Sequence, residues 1–156
     1  MYTTEQMYQL WRESRTRFSN QLSKITAIGD SSTAIILSKK LGNSPKSAGF
    51  LIRHIADVEL LYSKNVFGQK DLIVYAQTFI EQSDTEEWTD WADLMDYQKQ
   101  AYENLKKGIL AQTDYDWGIT ITRREFGTKT KAEALGRVIS HTAYHAGQLE
   151  KILTYG

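Results

Sequence analysis

The chain has no cysteine among its 156 residues, which removes disulfides, thiolate metal ligands and any cysteine nucleophile. It has no surplus charge of either sign: 19 Lys plus Arg stand against 19 Asp plus Glu. A general nucleic-acid binder usually carries a basic excess, so nucleic acid is not an expected partner. No stretch approaches the ~18 apolar residues of a membrane-spanning helix. The opening MYTTEQMYQLW has neither the basic nor the apolar region of a signal peptide. No membrane association is expected, and the natural reading is a cytoplasmic protein. Histidine is also scarce: His54, His141 and His145 are the only three, and two of them fall within HTAYHAGQL.

What is present points to an ordinary globular chain. Hydrophobic residues make up 41% and charged residues 24%, as expected for one domain spanning residues 1–156. Four segments carry helical period. The first runs from Thr4 to Ile25, with Met7, Leu10, Trp11, Phe18, Leu22 and Ile25 at three- and four-residue steps and one wider gap. Arg12, Arg15 and Arg17 make it locally basic and read as a solvated face. The second follows Ser44-Pro45, a good N-cap and first-turn pair, and its stripe of Ala48, Leu51, Ile55, Val58 and Tyr62 ends near Phe67-Gly68. The third runs from Trp91 to Leu110 behind a capping Asp90 or Thr89, with Ala92, Met95, Ala101 and Leu105 on its apolar side. The fourth opens on the capping-box pattern Thr130-Lys-Ala-Glu133 and continues through Leu135, Val138, Thr142, His145, Leu149 and Ile152 to Leu153.

The connections differ in weight. Residues 26–43 contain SSTAIILSKK, a candidate short element, and WGITITRREFG within 111–129 alternates Ile and Thr as an extended piece or hairpin does. Residues 69–90 are long enough for a crossover between the second and third helices. The expected fold class is therefore all-α, a four-helix bundle. Trp88, Trp91 and Trp117 sit at or beyond helix edges. Packing under loops is favoured for them over lining a pocket or a dimer face.

Positions four apart on a helix share a face, so His141 and His145 can aim at one point. Val138, Thr142 and Leu149 place that face on the apolar stripe, and His54, between Leu51 and Val58, also has core-facing spacing. A lone histidine on an apolar stripe is more often a hydrogen-bonded core residue than a ligand. Three inward imidazoles cost free energy unless each finds a partner, and one divalent cation would satisfy all three together. Depth along the bundle is permissive. His54 lies ~14 Å beyond Pro45, and the midpoint of the pair lies ~17 Å before Thr154, at 1.5 Å per residue. Three imidazoles with no fourth protein ligand describe an open site of the catalytic kind, in which water takes the remaining position. Residue 142 is Thr, so this is not the H-E-x-x-H of metalloproteases, and no Glu-x-x-His motif of di-iron bundles is present.

The pattern HTAYHAGQL, with HIADVE (His54 to Glu59) upstream, resembles the DinB family of metal-dependent proteins, and the resemblance covers most of the chain. It implies a four-helix bundle in up-down-down-up order. It implies a divalent metal, nickel or zinc, held by His54, His141 and His145, and a homodimer. Some related proteins are thiol S-transferases that use a low-molecular-weight thiol such as bacillithiol, mycothiol or glutathione, and many have no assigned activity. Beside the resemblance, Gly147 reads as a mark of close helix approach, and Gln148 as a partner that orients His145. Asp57 and Glu59 are alternatives for orienting His54, and for each of these polar residues a solvated role is as plausible.

Three readings of function follow. The first is metal-dependent transfer of a small thiol to an electrophile, the sulfur arriving on a cosubstrate because the chain has none to give. The second is a non-catalytic, stress-associated metal-binding dimer. The third is metal-assisted hydrolysis of a small-molecule substrate. A deep pocket beside the histidines favours an enzyme, and a plugged site favours a structural role. With ordinary imidazole pKa values near ~6.5, the metal is expected to leave between pH 7 and pH 5.

Overall fold

The structure is a computed structural model that describes residues 2–81 and 87–156. Among the described residues six α-helices appear in chain order: α1 (Thr4–Ile28), α2 (Asp30–Leu37), α3 (Ala48–Asn65), α4 (Gln77–Glu81), α5 (Trp91–Leu110) and α6 (Lys131–Tyr155). A 3-10 turn over Asp114–Gly118 leads into a hairpin of β1 (Thr120–Arg123) and β2 (Gly127–Thr130), paired antiparallel with Ile121 opposite Lys129. The four long helices are those expected, α2 is the short element in SSTAIILSKK, and the Ile/Thr alternation forms the hairpin. Part of the 69–90 connection, residues 82–86, lies outside the described residues.

Local chemistry sets the helix ends. Thr3 and Thr130 close capping boxes with Gln6 and Glu133, and Asp90 caps α5 by accepting from the Asp93 N–H. The second long helix departs from expectation at its start. Ser47, not Ser44, is the N-cap, its hydroxyl accepting from the Phe50 N–H at 3.1 Å. The Ala48 N–H is already taken by the Lys39 carbonyl, which ties Ser44-Pro45 into a turn ahead of the helix.

The long helices form a closed ring: α1 packs on α6 and α5, and α3 packs on α5 and α6. The starts of α3 and α5 lie together. A Cβ added to Gly49 would meet the Trp88 carbonyl oxygen at 1.8 Å, so only glycine lets these segments approach so closely. Their ends also meet, Gly108 against Phe67, so the pair runs in the same direction, as the long connection allows. At the far end of α6, Gly156 packs beside the Lys40 backbone ahead of α3, so α6 runs against α3. Three apolar clusters pack the bundle among the described residues, the smallest of them Ala56, Leu60 and Ala101 between α3 and α5; the other two are larger. Phe18, Ile25, Leu51, Ile55 and Leu149 form one, and Trp11, Phe67, Leu105, Trp117 and Val138 form the other. A fully buried aliphatic or Phe side chain of this kind stabilises by about 1.5–3 kcal/mol. Leu10 and Ala92, assigned to apolar stripes, instead face outward. Trp117 is core, and Trp88 and Trp91 pack against core, as favoured over a pocket role. No helix among the described residues is long and apolar enough to cross a membrane.

Candidate metal centre

α3 and α6 face each other with His54 on one and His141 and His145 on the other. Their nearest ligand-type nitrogens lie within 4.8 Å of one another, and no other His, Asp or Glu joins that group among the described residues. The His54 and His141 Nε2 atoms are 3.0 Å apart. His145 stands edgewise to the other two rings, which are tilted to each other, and the centroids are 4.4–4.9 Å apart. The i, i+4 spacing on α6 thus does what helical geometry allows, and α3 supplies the third ring at the same depth.

The protons on these rings follow from their partners. Asp57 is fully buried and accepts from four donors: Arg53 Nε at 3.1 Å, the Tyr97 hydroxyl, the Thr78 hydroxyl at 2.5 Å and the Thr78 N–H at 3.2 Å. Burial, and then the bond to Asp57, push the Tyr97 phenol upward in pKa, so it stays a donor. The Thr78 hydroxyl proton is committed to Asp57. Thr78 Oγ1 can therefore only accept from His54 Nδ1, 3.0 Å away. That places the His54 proton on Nδ1 and leaves Nε2 a bare lone pair aimed at His141. Gln148 Oε1 accepts from His145 Nδ1 at 2.7 Å, freeing the other nitrogen of that ring in the same way. His141 Nδ1 is buried with no hydrogen-bond partner.

Electrostatics keep the rings neutral. Burial, then His145 and Lys46, lower the His54 pKa to about 4. Burial, then the two other rings, Lys46 and Arg137, lower His141 to about 3. His145 is lowered by burial and Lys46, against a smaller upward pull from Gln148. At neutral pH all three hold the uncharged form that ligation requires. In the metal-free protein His54 and His141 therefore take up protons below the pH 7 to 5 range of ordinary imidazoles.

The site is not plugged. The three rings line one end of an open cleft of ≈ 1120 Å³, which runs between α3 and α6 past Val58, Leu61 and Tyr62 to the hairpin. Phe79 of α4 tilts over His54 at 5.1 Å, and Tyr144 stands edgewise to His145 at 5.2 Å.

The sequence profile of the DinB superfamily matches residues 6–149. The chain belongs to the DinB superfamily. No curated protein matches it. Within this DinB-superfamily chain the donor set fits a divalent ion. Two of three imidazoles have their protons fixed on the nitrogen facing away from the shared point, and no carboxylate among the described residues joins the group.

Three readings of single residues need correction, and a fourth is refined. Glu59 does not orient His54: it faces away and accepts from Arg15 Nε at 2.8 Å and Nη2 at 2.9 Å. Arg15 is accordingly buried rather than on a solvated basic face. Gly147 marks no close approach, since a Cβ there would meet nothing within 4 Å. Asp57 does support His54, but through Thr78, which carries no motif and sits in a connection without period.

Proposed function

We propose that this chain is a divalent-metal-dependent enzyme whose ion is held by His54, His141 and His145. In this reading the ion is nickel or zinc, and the reaction transfers a low-molecular-weight thiol, such as bacillithiol, to an electrophile. The observation that carries it is the convergence of three neutral imidazoles on the wall of an open cleft. A structural site has no need of a cleft, and a closed one would use a fourth protein ligand.

An ion held there lowers the pKa of a coordinated thiol or water, giving a nucleophile near neutral pH. The residues of the chain do the rest. Asp57, through Thr78, and Gln148 hold the His54 and His145 rings in the ligating tautomer. Phe79 and Tyr144 flank the rings. The cleft leaves room for an electrophile beside the sulfur. In the transfer the sulfur forms a bond to the electrophilic carbon, the leaving group departs with its electron pair, and the thiol proton passes to solvent through the cleft mouth. Because the chain contains no cysteine, the sulfur comes from a cosubstrate.

The test is elemental analysis of protein purified without a histidine tag, followed by turnover with bacillithiol and a model electrophile such as monochlorobimane. Stoichiometric metal and turnover, both lost in His141→Ala, are expected. Turnover unchanged in that variant would overturn the thiol reading. Amide and ester substrates assayed in parallel separate transfer from hydrolysis.

A further inference from the structure

Away from the histidines the cleft changes character. Its walls by α3 are apolar, through Val58, Leu61 and Val66, but its far end carries Arg123, Lys129 and Arg137 with Glu125 and Glu133. These groups are not equally free. Arg123 spends its donors on the Asn65 and Thr122 carbonyls. Glu133 is taken up by the capping box, where its Oε1 accepts from the Thr130 N–H at 3.0 Å. That bond, with the Thr130 hydroxyl and Lys129 adding, holds its carboxyl below the usual range. Arg137 differs. Its guanidinium lies over the Phe126 ring, 5.9 Å from the centroid, and no hydrogen bond or ion pair engages it among the described residues. Phe126 is itself set edgewise by Tyr62 at 6.0 Å, so the platform beneath the guanidinium is fixed from α3.

Arg137 sits four residues before His141 and eight before His145 on α6, on the same face. At 1.5 Å per residue that is about 6 Å and about 12 Å along the axis. The cleft therefore has nitrogen lone pairs, a largely apolar α3 wall, and an uncommitted planar cation one to two helical turns from the rings. Three cations against two carboxylates leave one net positive charge at that end, which suits a monoanion better than a phosphate dianion.

We infer that Arg137 is a specificity residue that receives a carboxylate of an elongated ligand, whose other end reaches the three histidines. The guanidinium fork matches a carboxylate in two parallel N–H···O bonds, which a lysine at this position could not reproduce. Phe126 holds the fork flat, and Lys129 adds charge from β2. The substrate class is thereby narrowed to acid-bearing molecules of about that reach, and this narrowing rests on the reading of the cleft as a substrate site.

Two titrations test it. Metal-free protein is titrated calorimetrically with octanoate and with octanol. Cobalt-loaded protein is titrated with 6-mercaptohexanoate and with 6-mercaptohexanol, read by the sulfur-to-cobalt absorption band. Wild type is expected to favour the acid over the alcohol by about tenfold in both series, the worth of one charge-assisted pair. Arg137→Gln, an exposed position whose change leaves the core untouched, should abolish the preference while leaving alcohol affinity and cobalt content as they were. Equal binding of octanoate and octanol in wild type, or a preference that survives in Arg137→Gln, overturns the inference. Absence of the cobalt–sulfur band with both thiols overturns the thiol reading instead, and the metal-free series still decides the role of Arg137.

Discussion

Asp57 and Glu59 stand two residues apart on α3, and both are fully buried carboxylates. Two residues on a helix turn the side chain by about 200°, so they serve opposite sides of the bundle. Glu59 meets Arg15 from α1, and Arg15 Nη2 also donates to Gln98 of α5 at 3.2 Å. The partners there are a permanent cation and an amide, and nothing in the set offers a nitrogen lone pair. Asp57 meets Arg53 too, but its remaining acceptor capacity goes to Tyr97 and to Thr78, and from Thr78 the chain of bonds continues to His54 and ends at the cleft. One buried charge is spent on holding helices together. The other is spent on deciding which nitrogen of a ring carries a proton.

The contrast predicts opposite phenotypes. Glu59→Ala leaves the Arg15 guanidinium buried and unpaired, so a loss of about 3–5 kcal/mol in unfolding free energy by urea titration is expected. Its folded fraction should still take up metal. His141→Ala should do the reverse, abolishing stoichiometric metal by elemental analysis at a smaller cost in stability. If Glu59→Ala lost metal and kept its stability, the division of labour between the two carboxylates would be wrong.

Asp57→Asn sharpens the comparison at the next scale. An amide at residue 57 can no longer accept from all four donors, and the Thr78 hydroxyl is freed to donate toward His54, which favours the wrong tautomer. Partners of this kind are worth about 10- to 100-fold in metal affinity, which a competitive chelator titration measures. Thr78→Val, which removes the relay and one of the four donors to Asp57 but keeps the carboxylate, should fall in the same range. Unaltered affinity in both variants would reduce the Asp57 network to a second structural pair.

The degree to which these two networks were legible in the sequence differs for a physical reason. Helix periodicity and capping chemistry are local, and they placed α3, α5 and α6 to within a few residues. That His54, His141 and His145 come together was legible because three histidines at core-facing spacing are rare, and HTAYHAGQL with HIADVE carries a family pattern. Arg15 was misread because a charge on a helix looks solvated until its partner 44 residues away is known. Thr78 was invisible for the same reason: a hydroxyl in a connection without period acquires meaning only when Asp57 and His54 are brought to either side of it. The start of α3 was displaced because Ser44-Pro45 has good capping chemistry, but the Lys39 carbonyl claims the Ala48 N–H first.

Acid separates the two networks more gently. In the metal-free protein the folded pKa values of His54, about 4, and His141, about 3, lie below the ordinary imidazole value. The unfolded chain therefore binds protons that the folded chain refuses. The contribution of these two rings to stability is full above pH ~6.5 and is lost as pH falls toward their folded values. Metal should be retained at pH 5 and released as pH approaches about 4, followed by equilibrium dialysis with elemental analysis. In His54→Gln the acid slope of stability between pH 6.5 and 4 should flatten, whereas a change at Arg15 should leave that slope intact. An acid slope in metal-free wild type that centres on pH 6.5 rather than lower would mean that the rings are more solvated than their burial implies.

The smallest effect concerns Gly147, which lies between His145 and Gln148 and bears on whether the site depends on backbone proximity or on ring geometry. Glycine inside a helix costs about 1 kcal/mol relative to alanine, partly through the freedom it gives the unfolded chain. A Cβ at this position meets open space, so nothing in the fold repays that cost. Gly147→Ala should raise unfolding free energy by about 0.5–1 kcal/mol and leave metal affinity unchanged, because the His145 to Gln148 bond is made by side chains flanking the new methyl. A fall in metal affinity with a gain in stability would show that α6 must flex at this point for the ion to enter.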